Sequence, residues 1–189
     1  MELTEQRLSE FEVVNAPPSL VLQRLAKASK LAMGIEAIPE GQETAGTITL
    51  RAKDRTVREI LNEITKTDPR YAWRRTDSVI DVFPQQAKDP LLETMLVRFE
   101  VKRVNREQAI RAIWNTQEVR KSFTKTGSGE RTLQSLPGPN ETNLPRFSVR
   151  LRNSSVRNTL NAILKASRSS DWLFFRYGNR HQYFSLTMQ

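Results

Sequence analysis

The chain has no cysteine, a single histidine and no long apolar segment, and each absence excludes a class of function. Without cysteine it forms no disulfide, has no thiolate nucleophile and offers no cysteine ligand to a metal. His181 alone provides no pair of histidine ligands, and its position near a hairpin tip predicts a solvated side chain. The longest fully apolar run, Trp172–Phe175, is far shorter than the roughly 20 residues of a membrane-spanning helix.

The composition is that of a globular protein, with 38% hydrophobic and 27% charged residues in a chain of 189. This length accommodates one or two domains. The opening residues, MELTEQRLSE, contain no apolar core, so no secretory signal is expected at the start of this sequence. A cysteine-free chain fits the cytosol and also a periplasmic protein without disulfides, and composition therefore leaves both compartments open.

Positive charge is concentrated in the second half of the sequence. Residues 1–90 hold 13 basic and 14 acidic side chains, whereas residues 91–189 hold 17 basic and 7 acidic ones. An even scatter of charge would serve solubility alone. This asymmetry predicts a surface of the second half that meets an acidic partner, such as nucleic acid, lipid headgroups or an acidic protein.

Two segments of the sequence repeat at a fixed offset. Residues 48–66 read ITLRAKDRTVREILNEITK and residues 147–165 read FSVRLRNSSVRNTLNAILK, so that seven identical residues coincide at an offset of 99. A second echo relates Phe11–Val13 to Phe99–Val101 at an offset of 88. The two offsets differ by 11, which places 11 extra residues in the second copy, between its first helix and its second strand. Such a repeat indicates two copies of one structural unit.

Each copy contains the same predicted order of strand, helix, strand or turn, strand, helix and hairpin. Thr56 and Glu59 predict a capping box ahead of the apolar stripe of the second helix. Two helices on one face of a small sheet bury one apolar stripe each, so the sequence predicts an α+β fold of two similar small modules, each a mixed β-sheet with two helices packed on it. The predicted boundaries are a lead segment 1–10, a first module 11–86, a linker 87–96 and a second module 97–189 with a long loop 124–145.

The order of apolar positions resembles a known family. Residues 11–84 contain in succession F-x-V, L-x-x-L-A, I-T-L, V-x-x-I-L-x-x-I, Y-x-W and V-I-D-V-F-P, and residues 147–164 repeat the strand-to-helix step. This pattern resembles the secretin and TonB short N-terminal domain, a module at the periplasmic front of secretins and of signalling TonB-dependent receptors. The resemblance implies a periplasmic or envelope-associated protein that docks onto another protein.

Basic side chains on predicted strand faces are the candidate binding residues. Arg98 and Lys102 share one side of a strand, Arg150 and Arg152 share one side of another, and Arg176 and Arg180 lie on or near the closing hairpin. If these strands are neighbours, their cations occupy one sheet face opposite the helices, because alternate residues of a strand point to the same side. The alternative is a solvated face whose charge discourages edge pairing.

The sequence contains no recognisable catalytic constellation. Glu59 and Glu63 lie one helical turn apart, but a solvated helix face accounts for them. Gly127–Gly129 lacks the Gly-Lys-Ser/Thr ending of a phosphate-binding loop. The aromatic residues in apolar-periodic segments are expected to pack in the core: Trp73, Trp114, Trp172 and Phe174. We therefore expect a protein that is not an enzyme and that has no metal site and no cofactor.

Two functional hypotheses follow from these patterns. The first is a non-catalytic protein-interaction or assembly module of the bacterial cell envelope, which binds a protein partner or its own copies, since linked modules gain effective concentration on a repeated target. The second is a nucleic-acid-binding protein that uses the basic sheet face of the second module. The envelope hypothesis predicts a periplasmic location, and the nucleic-acid hypothesis fits the cytoplasm.

Overall fold

The computed structural model describes residues 3–38, 46–86, 88–125, 145–177 and 183–189. Within these ranges the chain forms nine strands and five α-helices around two apolar cores. The α+β class predicted from the sequence is confirmed.

The first half of the chain follows the order strand, helix, two strands, helix and hairpin. Its elements are β1 (Arg7–Ala16), α1 (Pro18–Ser29), β2 (Ala32–Glu36), β3 (Ile48–Thr56), α2 (Val57–Thr67), β4 (Tyr71–Thr76) and β5 (Val79–Pro84). A short 3-10 turn, Leu3–Glu5, precedes β1.

The second half has a related order, in which a second helix stands where the first half has the strand β2. Its elements are β6 (Met95–Val104), α3 (Arg106–Trp114), α4 (Gln117–Lys125), β7 (Phe147–Ser155), α5 (Val156–Ser167), β8 (Asp171–Tyr177) and β9 (Tyr183–Met188). Helix α4 is not predicted by the sequence pattern, because the residues that correspond to it at the offset of 88 are 29–37, which contain the strand β2.

Polar residues at strand ends start three of the helices. The Thr56 hydroxyl accepts a hydrogen bond from the Glu59 N–H (3.2 Å), and the Glu59 carboxylate accepts one from the Thr56 N–H (2.7 Å), so the predicted capping box is confirmed. Asn105 and Gln108 form the same arrangement at α3, and Ser155 caps α5. Strand β3 in the first half and strand β7 in the second half therefore each pass directly into a helix.

The antiparallel pairs β1–β3 and β6–β7 have the same register. A shift of 88 residues in the first strand and 99 in the second converts each residue pair of the first ladder into a pair of the second. Residues with positive φ agree as well, since Asn15 (50°) matches Arg103 (50°) and Asp54 (51°) matches Asn153 (49°). We call residues related by these offsets counterparts. This agreement supports the interpretation of the sequence as a repeat of one unit.

The mixed sheet is shared between the two halves. Its strand order is β4-β5-β2-β8-β9, in which β2 pairs in parallel with β5 on one side and with β8 on the other. The sequence predicts one mixed sheet in each module, whereas the structure joins the hairpin of the second half to the sheet of the first. Side-chain patterns specify that a segment is a strand, but backbone pairing along its edge depends on tertiary contacts.

Side chains alternate between the two faces of the shared sheet, and each half covers one face with its helices. Met33 and Ile35 lie in the core formed with α1 and α2, whereas Trp172 and Phe174 lie in the core formed with α3 and α5. The helices in turn contact the two-stranded pairs β1–β3 and β6–β7. These pairs are therefore the outermost layers of the fold, and the shared sheet is its centre.

The predicted core positions are confirmed for most residues. The counterparts Leu61 and Leu160 are fully buried. Trp114, Trp172 and Phe174 are also buried, whereas Trp73 is only partly buried and packs at the border of the first core.

The ends of the two halves differ from the predicted boundaries. β1 begins at Arg7, inside the predicted lead segment 1–10, and β6 begins at Met95, inside the predicted linker 87–96. Leu91 and Leu92 of this linker are buried in the second core, so the linker is part of the folded structure. Most of the predicted loop 124–145 lies outside the described residues, as does His181. None of the described helices is both long and apolar enough to cross a membrane.

Replacing Asp171 with asparagine is expected to stabilise the protein at neutral pH. The Asp171 carboxylate is buried and accepts hydrogen bonds from Gln23 Nε2 (3.1 Å) and Ser170 Oγ (2.7 Å). Burial raises the pKa of this carboxyl more than the two hydrogen bonds lower it. A carboxyl whose pKa is raised on folding favours the folded state at low pH, and this contribution is lost as the pH rises through the raised pKa.

Asparagine does not ionise, so the stability of the Asp171→Asn chain relative to the unmodified chain should increase from about pH 4 to pH 7. Each unit by which folding raises the pKa of Asp171 lowers the free energy of unfolding of the unmodified chain by about 1.4 kcal/mol at neutral pH. Urea denaturation of both chains across this pH range measures the difference. A relative stability that falls with rising pH would contradict the assignment of Asp171 as a buried, destabilised carboxylate.

Candidate interaction surface

The outer surface of the β6–β7 pair carries four of the basic residues predicted from the sequence. Arg98 and Lys102 of β6 and Arg150 and Arg152 of β7 are all exposed, because each is adjacent to a residue that points into the second core. In the ladder Arg98 lies opposite Arg152, and Arg150 lies opposite Glu100. The predicted exposure is confirmed, and the structure brings these four cations together on one face, which we call the basic face.

Glu100 lies at the centre of the basic face. Its carboxylate is paired with Arg98 and lies 3.3 Å from Lys102 Nζ and 3.9 Å from Arg150 Nε. Hydrogen bonds from Arg98 and Lys102 lower the pKa of the Glu100 carboxyl, which is therefore ionised at neutral pH. One carboxylate thus orders three cations, and with Arg152 the five side chains carry a net charge of +3.

The outer surface of β1–β3 is the counterpart of the basic face, and its charges are balanced. Two pairs of opposite charge face each other across the ladder: Glu10 with Lys53, and Glu12 with Arg51. Glu10 is the counterpart of Arg98, and Val14 is the counterpart of Lys102. Among the counterparts of those five side chains, these two positions account for the whole difference in charge, although the backbones have the same register.

Arg176 does not belong to the basic face. It lies in β8 of the shared sheet, where its guanidinium is paired with Asp89 and Nη2 is 2.7 Å from Asp89 Oδ1. The expectation that Arg176 shares a face with the other cations is thereby corrected, because β8 pairs with β2 and is separated from β6–β7 by a layer of helices. Arg180 lies outside the described residues.

A cleft of about 590 Å³ lies between the β4–β5 turn, β7 and α5. Its lining contains hydroxyl and amide groups and two charged residues, Asp77 and Lys165. These lining residues include no histidine and no pair of carboxylates that could act as general acid and base. Within the described part of the chain, no three histidine, aspartate or glutamate side chains lie close enough together to hold a metal ion.

A polar cluster of the second half is buried against strands of the first half. Trp172 Nε1 donates a hydrogen bond to Asn161 Oδ1 (2.7 Å), and Asn161 Nδ2 donates one to Asp81 Oδ1 (2.8 Å) on β5. The Trp172 ring lies against Gly34 of β2, where an added Cβ atom would come within 2.4 Å of the ring atom Cζ2. Glycine at this position therefore makes room for the indole.

Arg157 completes this cluster by pairing with one carboxylate from each half of the chain. Its guanidinium is paired with Glu36 of β2, and its Nε lies 2.9 Å from Glu93 Oε1. The side chains of Arg157 and Glu36 are only 1% and 3% exposed. Burial raises the pKa of Glu36, and the nearby Arg157 charge offsets part of this increase. Arg157, Asn161 and Trp172, which we call the second-half triad, thus attach the second half to strands β2 and β5 of the first half.

The first half contains the counterparts of these three residues in an exposed setting. Trp73 Nε1 donates a hydrogen bond to Asn62 Oδ1 (3.0 Å), and the Arg58 guanidinium carbon lies 6.0 Å from the centroid of the Trp73 ring. Arg58 Nε lies 2.6 Å from Glu5 Oε1, and Glu5 is the counterpart of Glu93. The Arg58 side chain is 38% exposed, and we call Arg58, Asn62 and Trp73 the first-half triad.

Sequence reasoning identified two of the three repeated positions in these triads but assigned them no role. The third position, Trp73 and Trp172, is related by the same offset of 99 and lies outside the segments that repeat most closely. The coincidence of Trp73 and Trp172 at that offset is the signal in the sequence that completes the triad.

No protein-family model matches the chain, and no curated protein matches it.

Proposed function

We propose that the chain is a non-catalytic protein-interaction module of the bacterial cell envelope, which docks onto an acidic partner protein through the basic face. The observation that carries this proposal is the contrast between the two outer surfaces. The β1–β3 and β6–β7 ladders have the same register, yet one surface is balanced and the other has a net charge of +3. Since the balanced surface is compatible with the same ladder, the excess charge is explained by binding rather than by folding.

A protein partner fits the basic face better than a nucleic acid does. Of the described residues that point outward from β6–β7, none is aromatic, so the face lacks the stacking platform of single-strand binders. The Glu100 carboxylate at its centre would also repel a phosphate backbone. An acidic protein surface can pair with the outer guanidinium groups while its own polar groups contact Glu100.

The family resemblance supports the envelope location. In the first half, the residues that carry it occupy the predicted elements: I-T-L lies in β3, V-x-x-I-L-x-x-I in α2, Y-x-W in β4 and V-I-D-V-F-P in β5. We therefore propose a tandem pair of modules of the secretin and TonB short N-terminal type in the periplasm. A partner found in the periplasm would support this location, and a partner found in the cytoplasm would support the cytoplasmic alternative.

Replacing Arg150 and Arg152 with serine is expected to slow association with the partner and to leave the fold intact. Both residues are exposed, and attraction between a charged face and its partner acts mainly on the association rate. The rate constant should fall about ten-fold at low salt and by less at physiological ionic strength, where charges are screened over about 8 Å. The measurement uses the immobilised full chain and the partner purified after capture from envelope extract.

Arg51→Ser with Lys53→Ser is the matched control, because these residues are the counterparts of Arg150 and Arg152 on the balanced surface. The control should leave the association rate unchanged. Equal rates for all three chains would identify the basic face as a solvated surface without a binding role. Binding of a single-stranded oligonucleotide with a steep log–log salt dependence would support nucleic acid as the partner instead.

A further inference from the structure

We propose that the edge of the shared sheet at β4 is a second binding site, which takes a parallel strand with a glycine opposite Trp73 and an acidic residue two positions later. The site consists of the first-half triad and the outer edge of β4, the end strand of the sheet in the described part of the chain. It lies in a different layer from the basic face, and it does not rest on the function proposed above.

The second half of the chain contains a filled version of this site. There β8, which carries Trp172, pairs in parallel with β2, with Gly34 opposite Trp172 and Glu36 opposite Phe174. Backbone hydrogen bonds from Met33 N to Ser170 O (2.9 Å) and from Ala37 N to Phe174 O (2.8 Å) hold the two strands together.

Two members of the second-half triad contact this occupant, and the third positions the indole. The Trp172 ring fills the space left by Gly34, and Arg157 pairs with Glu36. Asn161 holds the indole and reaches Asp81 on the next strand. The strand that this arrangement binds therefore has the pattern glycine, any residue, glutamate.

The first-half triad shares three features of geometry with the filled site and differs at one atom. Arg58 Nη2 donates a hydrogen bond to Thr4 Oγ1 (3.1 Å). The same atom of Arg157 is paired with Glu36.

The three shared features are two side-chain distances and one backbone hydrogen bond. The indole-to-amide hydrogen bond is 3.0 Å in the first half and 2.7 Å in the second. The arginine-to-ring distances are 6.0 and 5.9 Å. The helix starts that carry the two arginines are held alike, by Val57 N to Gln6 O (3.0 Å) and Val156 N to Thr94 O (2.9 Å). A site whose side chains are pre-organised loses less entropy when a ligand binds.

The occupant is a single strand rather than a complete further module. Leu173 of β8 is buried in the first core, which includes residues of α1, but its counterpart Arg74 in β4 is exposed. The next residue, Arg75, is also exposed. A helix equivalent to α1 would find no apolar surface there, and Arg74 Nε already lies 3.6 Å from Asp81 Oδ2. An extended segment needs only the backbone edge of β4 and the first-half triad. Strand β2 of a second copy is itself paired on both sides, with β5 and β8, so the strand comes from a different chain.

Fluorescence anisotropy with a labelled peptide of residues 30–38, which contain β2, tests the site on the intact full chain. The unmodified peptide should bind. A Gly34→Val peptide should bind at least ten-fold more weakly, because its side chain would collide with the Trp73 ring. A Glu36→Gln peptide should also bind at least ten-fold more weakly, because it cannot form an ion pair with Arg58. Equal affinity of the three peptides, or no binding by any of them, would overturn the proposal.

Protein variants locate the peptide on the chain. Arg58→Glu should weaken binding at least ten-fold, whereas Arg98→Glu on the basic face should leave it unchanged. Circular dichroism verifies the fold of each variant, and the peptide comparison stands even if Arg58→Glu is unfolded, because it uses the unmodified chain. Undiminished binding by a folded Arg58→Glu chain would place the peptide elsewhere, for example in exchange with β2, and would refute the site. Arg98 belongs only to the basic face. The outcome of the peptide experiment therefore does not depend on whether the basic face binds the proposed partner protein.

Discussion

Replacing Arg157 with leucine is expected to lower the free energy of unfolding by about 3–5 kcal/mol. The substitution leaves the Glu36 carboxylate buried in the shared sheet without the guanidinium that is paired with it. An ionised carboxylate without a partner in such a place is strongly destabilising, because the energy of its lost hydration is not recovered. Denaturation by urea at pH 7, followed by circular dichroism, measures the loss.

Arg58→Leu is the matched control for this experiment. Arg58 is the counterpart of Arg157, but its ion pair with Glu5 is exposed, and exposed pairs contribute at most about 1 kcal/mol. Adding Glu36→Gln to Arg157→Leu should restore part of the stability, since it removes the buried charge. Similar losses for the two arginines, or no recovery in the double variant, would show that the Glu36–Arg157 pair does not have the role assigned to it.

Trp172→Ala is expected to cost about 3–5 kcal/mol, the range for truncating a buried aromatic residue. Trp172 is fully buried, fills the space beside Gly34 and satisfies the carbonyl oxygen of Asn161. Its removal leaves a cavity at the junction of the two halves and an unsatisfied buried amide, and the two effects act in the same direction. Both halves contribute to this junction, so the loss should appear in the unfolding of the whole chain.

The counterpart substitution Trp73→Ala should cost less, about 1–2 kcal/mol, because the Trp73 ring is only partly buried and Asn62 is exposed to water. Urea denaturation of both variants gives the comparison. If Trp73→Ala were as damaging as Trp172→Ala, the first-half triad would be a structural element of the first core, and its role as a binding site would lose its basis.

Local features of the fold were predictable because they depend on neighbouring residues in the sequence. The capping box of Thr56 and Glu59, the strand that contains Phe99 and the burial of Leu61 and Leu160 all follow from spacing along the chain. The exposure of the four cations of the basic face follows from the same alternation. What the pattern did not contain was their arrangement around Glu100, which required the register of β6 with β7.

The interface between the halves was not predictable, because it depends on contacts between residues far apart in the sequence. Gly34, Glu36 and Asp81 lie on the face of their sheet that points away from the helices of the first half. From the sequence of the first half alone, such residues are expected to be exposed to solvent. They are buried because β8 pairs with the edge of β2 and brings Arg157 and its neighbours against that face.

The amino-acid order alone specifies the α+β class, the repeated strand-to-helix units and the side of each strand that faces a core, because these depend on periodicity and on caps within a few residues. The choice of partner strand depends on contacts between residues far apart in the chain. For that reason only the tertiary structure shows that one sheet serves both halves and that Arg176 is paired with Asp89. It also shows that the second-half triad is buried while the first-half triad is more exposed to solvent.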